Sequence, residues 1–285
     1  MSGIKSRSRK ERATDIDPLE TRVSETTLAV IVAHGAPSDP GPLDQVVKQL
    51  AKRVEAFTCG YHVVGATLAM PGSLEAELEH VTPSQTTVIY PFFMSTGWFV
   101  SKELPRRVST AIANPVDFLQ PFGLDLSLPA LCIQRASDAA GACDQAPDAT
   151  VLVLAAHGSQ KGPASAQAAR AIQESITDTG TFAEVRLGFV EENPTISQAA
   201  AGLTNSPAVC LPLFATTAGH VQADIPEQLA AANFQGTLMP PIGEDDEVPR
   251  QARSETRLED SEDLLCLVEP SLRRLGAPSH HGLEV

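Results

Sequence analysis

Two hydrophobic rhythms alternate along the chain. Short runs of apolar, largely β-branched residues recur, and each is followed by a longer stretch with apolar positions at helical spacing. Leu28–Ala33, Val63–Leu68 and Thr87–Phe93 are apolar on nearly every position, as strands of a parallel sheet covered on both faces are. Between them, Leu43, Val46, Val47, Leu50 and Val54 form a stripe that predicts a helix over Pro42–Ala56. Pro71–Val81 predicts a short helix opened by proline, and Val100–Ala113 a helix whose first turn is set apart by Pro105. A short strand at Val116–Leu119 and a helix at Leu128–Ala139 end this half, and Ala140–Thr150 reads as a linker.

The second half repeats the order. Strands are predicted at Thr150–Ala156, Ala183–Val190, Ala208–Phe214 and Thr237–Met239. Helices are predicted at Pro163–Ile176, Thr195–Leu203 and Val221–Asn233, and a closing helix at Asp260–Leu275. Strands alternating with helices imply an α/β fold of mostly parallel sheets joined by right-handed crossovers.

The halves are copies. LAVIVAHGA (Leu28–Ala36) returns as VLVLAAHGS (Val151–Ser159), with His157 lying 123 positions after His34. Gly65 and Gly188, and Pro71 and Pro194, also lie 123 apart; Pro91 and Pro212, and Pro105 and Pro226, lie 121 apart; Gly123 and Gly243 lie 120 apart. Small loop deletions account for the drift, and a period this long marks a duplicated domain. The expected organisation is an extension without order at 1–25, an amino-terminal lobe at 26–140 and a carboxyl-terminal lobe at 149–285, facing each other across a cleft.

Composition narrows the function. At 285 residues, 42% hydrophobic and 20% charged, the chain is an ordinary globular protein. A net charge of −14 argues against nucleic acid as partner. No apolar run is long enough to span a membrane, and Met1–Glu20 has no apolar segment of the secretory kind. Five cysteines without metal-site spacing fit reduced thiols in a cytoplasm. A homo-oligomer is left open.

Three residues carry candidate chemistry. His157 ends a strand, Glu191 follows the next in GFVEENP (Gly188–Pro194), and His220 follows the third in TTAGHVQADIP (Thr216–Pro226). In open α/β sheets ligands gather at the carboxyl ends of strands, so the three converge on one rim. Two imidazoles and a carboxylate suit Zn²⁺, Co²⁺, Ni²⁺ or Fe²⁺. Each residue taken singly has a plain reading as a surface polar group or a cap. By the repeat count Glu191 falls on Leu68 and His220 on Phe99, so only His34 persists in the first half. That half offers aromatic residues instead: Phe92 and Phe93 as core, and Trp98 and Phe99, after Gly97, as a face for a large flat ligand. Lys102, Arg106 and Arg107 read as a charged helix face or as partners for an acidic ligand, and GEDDE (Gly243–Glu247) as a solvated loop or a relay for metal ions. Ser159 and Ser165 stand near His157, but no Gly-x-Ser-x-Gly elbow surrounds them.

AHGS (Ala156–Ser159), VEENPTI (Val190–Ile196) and GHVQADIP (Gly219–Pro226) together resemble the class II tetrapyrrole chelatases, which include the sirohydrochlorin cobaltochelatases and ferrochelatases. The resemblance spans roughly Thr26 to Pro249. It implies two flavodoxin-like lobes holding a tetrapyrrole between them, with His157, Glu191 and His220 as metal ligands and catalytic residues, and Glu192 as a rival to Glu191. Trp98, Phe99 and His34 would then meet the ring. Many two-domain members keep the metal motif in the amino-terminal half; here it lies in the other, nearer to the anaerobic cobaltochelatase type. The histidine-rich tail of some members is reduced to His280 and His281. The implied reaction inserts Co²⁺ or Fe²⁺ (Ni²⁺ being a third ion of the same preference) into sirohydrochlorin or a near relative, on a path to cobalamin or sirohaem. No P-loop is present, so no ATP is expected. Porphyrin ferrochelation and a non-catalytic carrier of tetrapyrrole or metal are the alternatives.

Overall fold

A computed structural model describes residues 26–159 and 162–255; the expected extension at 1–25, the closing helix Asp260–Leu275, Cys266, His280 and His281 lie outside them. In the first half the elements are β1 (Thr27–Ala33), α1 (Pro40–Glu55), β2 (Tyr61–Thr67), α2 (Ser73–Leu78), β3 (Thr87–Pro91), α3 (Leu104–Ala111), β4 (Val116–Phe118) and α4 (Leu128–Gly141). In the second they are β5 (Val151–Ala156), α5 (Ala164–Asp178), β6 (Glu184–Phe189), α6 (Ile196–Ala199), β7 (Ala208–Pro212), α7 (Ile225–Ala231), β8 (Thr237–Leu238) and α8 (Val248–Glu255). The strands form two sheets with every pairing parallel, in the orders β2-β1-β3-β4 and β6-β5-β7-β8. In each, the chain leaves the first strand to one side and returns to the other, which opens a crevice at the carboxyl ends of the central strands.

The apolar runs are continuous because both faces are covered. Leu28, Val30 and Val32 pack with Leu74, Leu78, Leu104 and Val108 of α2 and α3. Val151, Val153 and Ala155 pack with Ile196, Ile225 and Leu229 of α6 and α7. The alternate residues, Ala29 and Ile31 in one sheet and Leu152 and Leu154 in the other, share a single inner core with α1, α4, α5 and α8.

Within that core the terminal helices are exchanged. α4 lies against β7 and α5 of the second half, and α8 lies against α1 of the first. Ala252 of α8 lines a small apolar cavity with Ala29, Ile31, Val54, Tyr61 and Val63. The acidic GEDDE run stitches this crossing together. Asp246 accepts from Arg53 at 2.9 Å, and Asp245 lies 3.0 Å from Arg135 Nε, close enough to pair but off the axis of a hydrogen bond. Glu244 accepts from the Thr217 backbone N–H at 2.6 Å and its hydroxyl at 2.8 Å. These partners tie the run to α1, to α4 and to the loop at Thr217.

Three local readings change. The helix expected over Thr195–Leu203 ends at Ala199, because the chain turns at Gly202 (φ 79°) to seat Leu203 in the core. Helix α8 has no counterpart in the sequence reading, although Val248 stands 120 positions after Leu128, the residue that opens α4. Gly65 and Gly188 are not equivalent. Val32 pairs with Ala66 as Ala155 pairs with Gly188, so the second strands are offset by one residue against the simple count. A side chain at Gly65 would strike Val47 of α1, whereas one at Gly188 would strike Ile196 of α6, on the other face.

Burying an unpaired carboxylate under the exchanged helix should destabilise the molecule by about 3 kcal/mol or more. Ala252→Asp is therefore expected to lower the urea midpoint and to raise amide hydrogen exchange in β1 and β2, strands of the other half of the chain.

Candidate metal centre

Three adjacent strand ends build the site. His157 directly follows β5, and Gly158 turns the chain at φ 71°. Two residues past β6, the Glu191 backbone N–H donates to the His157 carbonyl at 3.0 Å, which ties the two loops together. The Glu191 loop is closed behind it, with the Phe189 N–H donating to the Pro194 carbonyl at 2.9 Å. The third residue, His220, opens a π-turn, His220–Asp224, that leads into α7. Pro226 has no N–H to offer the carbonyl four residues back, and its ring crowds that carbonyl, so the preceding turn widens by one residue.

The imidazoles of His157 and His220 meet edge-on, with centroids 4.7 Å apart and planes at 90°. His157 Nδ1 lies 2.8 Å from the Gly158 carbonyl, and His220 Nδ1 lies 2.8 Å from Asp224 Oδ2. Both acceptors can only accept, so each Nδ1 carries a proton, and in the neutral ring it is Nε2 that holds the lone pair for a ligand. Glu191 Oε2 approaches His157 Nδ1 to 3.9 Å. One donor atom from each of His157, Glu191 and His220 lies within 4.8 Å of the others. The three side chains are 42%, 41% and 40% exposed. A divalent ion held here would have protein donors on one side and open coordination positions on the other. Glu192 is turned beneath Gly158, with its Cγ 2.7 Å from where a Gly158 Cβ would stand, and its Oε1 is buried. Glu191, not Glu192, belongs to the cluster.

The first half holds the same posture without the donors. His34 Nδ1 lies 2.8 Å from the Gly35 carbonyl, and its ring meets Phe99 edge-on at 4.2 Å. Phe99 opens the matching π-turn, Phe99–Glu103. The Ala69 N–H donates to the His34 carbonyl at 2.9 Å, so the counterpart of Glu191 is Ala69 rather than the Leu68 of the repeat count. Trp98 packs against Phe99 at 5.1 Å and is 61% exposed; Gly219 takes its place in the second half. Phe92 is buried in the core, and Phe93 is half-buried.

Of the other charged candidates, Lys102 is exposed and the two arginines are engaged elsewhere. Arg107 donates to Glu75 and to the Leu68 carbonyl, and Arg106 to Glu103, whose carboxyl it holds below the usual range. A surface groove of about 540 Å³ runs between α2 and α3, lined by Glu75, Glu79, Arg106 and Arg107, away from the histidines. His62 pairs with Glu55 at 2.8 Å. Cys132 and Cys210 are buried, and burial pushes the Cys210 thiol up to about 12. The sequence reading assigned no separate role to Asp224, and took Glu244 only as part of the GEDDE run. Asp224 stands four residues after His220 inside a motif already singled out, and Glu244 replaces Leu124 of the first half.

The CbiX family model matches residues 151–257, the half that carries the cluster. A solved structure described as CbiX, the terminal enzyme for biosynthesis of sirohaem in denitrifying bacteria, is 42% identical, covers 82% of this chain and 99% of its own, and superposes with a TM-score of 0.74. A probable sirohydrochlorin cobaltochelatase of Halobacterium salinarum is 25% identical over 221 residues, covering 70% of this chain and 75% of its own. SirB from Bacillus subtilis with Fe³⁺ shares the fold at 15% identity, with a TM-score of 0.66 over 85% of this chain and 98% of its own.

Gly158→Ala places a side chain at positive φ and against Glu192. It should destabilise the chain by about 1–2 kcal/mol in urea unfolding. Gly41→Ala, which meets nothing within 4 Å, should leave stability unchanged or raise it.

Proposed function

We infer the reaction of this chain from the family to which it belongs, the class II chelatases of the CbiX type: it inserts a divalent metal ion into sirohydrochlorin. The observation that carries this reading to particular residues is the cluster of two imidazoles and one carboxylate, at three neighbouring strand ends, with donor atoms within 4.8 Å. His157, Glu191 and His220 are its ion ligands and catalytic groups. The ion is a substrate. Co²⁺ and Fe²⁺ match the donors, and Ni²⁺ is a third ion of the same preference.

Insertion exchanges two pyrrole N–H protons for one M²⁺, so the ring's charge does not change. Neutral imidazoles hold a borderline ion without adding charge. Glu191 supplies the one negative donor; in this reading its half-exposed carboxylate accepts one pyrrole proton once the ion has moved, and the second passes to water on the exposed side of the site. Three donors on one side leave the ion accessible to a ring that approaches from the other. Trp98, Phe99 and His34 are the residues of the first half proposed to meet the macrocycle, supported by the exposure of Trp98 and Phe99. The reaction is read as independent of ATP, because the sequence has no P-loop. Among the described residues no helix is long and apolar enough to cross a membrane. The free thiols of Cys59, Cys132, Cys143 and Cys210 support a cytoplasmic setting, and the net charge of −14 supports a small-molecule rather than a nucleic-acid partner.

The test is an absorbance assay of Co²⁺ and Fe²⁺ insertion into sirohydrochlorin under multiple-turnover conditions. Turnover beyond one ring per chain is expected, and faster than with protoporphyrin; a single stoichiometric event would identify a carrier instead. His157→Ala and His220→Ala should each lower the insertion rate at least about 100-fold without loss of folding, in line with removal of a group acting at the reacting centre. His34→Ala should lower it less than about 10-fold.

A further inference from the structure

The two imidazoles of the metal centre are held alike in geometry but not in charge. Each donates its Nδ1–H over 2.8 Å, His157 to the Gly158 peptide carbonyl and His220 to the Asp224 carboxylate. A hydrogen bond to an ionised acceptor is roughly twice as strong as one to a neutral acceptor. It also shifts electron density to the opposite ring nitrogen, making Nε2 the better donor to a metal ion. We propose that Asp224 is a positioning residue that makes His220 the anchoring ligand of the site, leaving His157 the weaker imidazole. This rests on the reading of His157, Glu191 and His220 as the ion's ligands.

The duplicated half supplies the control. Glu103 closes the π-turn Phe99–Glu103 as Asp224 closes His220–Asp224, so a carboxylate stands at the same place in both halves. In the first half the ring at the head of the turn is Phe99, which has no N–H to give. There Arg106, three residues on, takes both oxygens of Glu103 at 3.0 and 2.8 Å. In the second half Arg106 is replaced by Glu227, which repels Asp224 instead of drawing it away. Two substitutions therefore act together: a histidine is placed at the head of the turn, and the cation that would compete for its carboxylate is removed.

The experiment measures Co²⁺ affinity of the purified full chain without tetrapyrrole, by calorimetry and by the visible spectrum of bound Co²⁺. Asp224→Asn keeps the size and an acceptor oxygen but loses the charge; it should weaken Co²⁺ binding about 10- to 100-fold. The KM for sirohydrochlorin should not change. His220→Ala should weaken binding more than His157→Ala does. The double variant D224N/H220A should bind no more weakly than His220→Ala alone, because the aspartate acts through that ring. Glu103→Gln should leave Co²⁺ affinity unchanged. Wild-type affinity in Asp224→Asn alongside weakened binding in His220→Ala would overturn the role of Asp224 while leaving the ligand set intact, as would additive losses in the double variant. Unchanged affinity in both histidine variants would overturn the ligand set and this inference with it.

Discussion

Parallel pairing of β6, β5 and β7 is the constraint on which the site depends. Neighbouring strands lie about 4.8 Å apart, so residues carried by the loops that leave three adjacent strands, His157 and Glu191 directly and His220 at the π-turn eight residues past β7, come within 4.8 Å of one another. No single loop has to carry all three. His157 comes from the central strand, Glu191 from one neighbour and His220 from the other. Each is tied back to the rigid sheet, Glu191 by its N–H to the His157 carbonyl and His220 through the widened turn ahead of Pro226. These residues are thus fixed by backbone hydrogen bonds while their tips remain exposed, as the proposed release of an ion to the ring requires.

Duplication separates scaffold from chemistry within one molecule. Both halves keep the histidine at the first strand end, its Nδ1 bond to the next carbonyl, the edge-on ring against it and the π-turn. What differs is chemical: Ala69 for Glu191, Phe99 for His220, Trp98 for Gly219 and Leu124 for Glu244. One copy presents donors and the other presents aromatic surface. The backbone that makes a metal site serves equally well to hold an apolar wall, so the fold alone does not tell the two apart.

Much of this was legible in the sequence, and for definite reasons. Strands buried on both faces leave continuous apolar runs, and residues at their ends mark the site, so His157, Glu191 and His220 could be read together. The repeat identified His34 as the lone survivor in the other half. The failures are equally physical. Gly65 and Gly188 match in count but serve opposite faces, because periodicity in sequence does not register a one-residue slip between strands. Helix α8 escaped notice because Val248–Glu255 is mostly polar, with its apolar contacts limited to a few positions such as Val248 and Ala252. The Glu191 and Glu192 pair could not be separated from spacing alone; the packing of Glu192 under Gly158 decides it. Asp224 was in plain sight within GHVQADIP, yet its bond to His220 follows from the shape of the turn.

The exchanged helices bear on how the protein is made. The first sheet is complete only once β4, ending at Phe118, has been made, yet part of the cover of its inner face, α8, begins only at Val248. Until then an apolar surface waits through more than a hundred residues of synthesis, and its closure is a contact between the first and last described helices, α1 and α8. The first half therefore reaches its full packing only when the second half has been made.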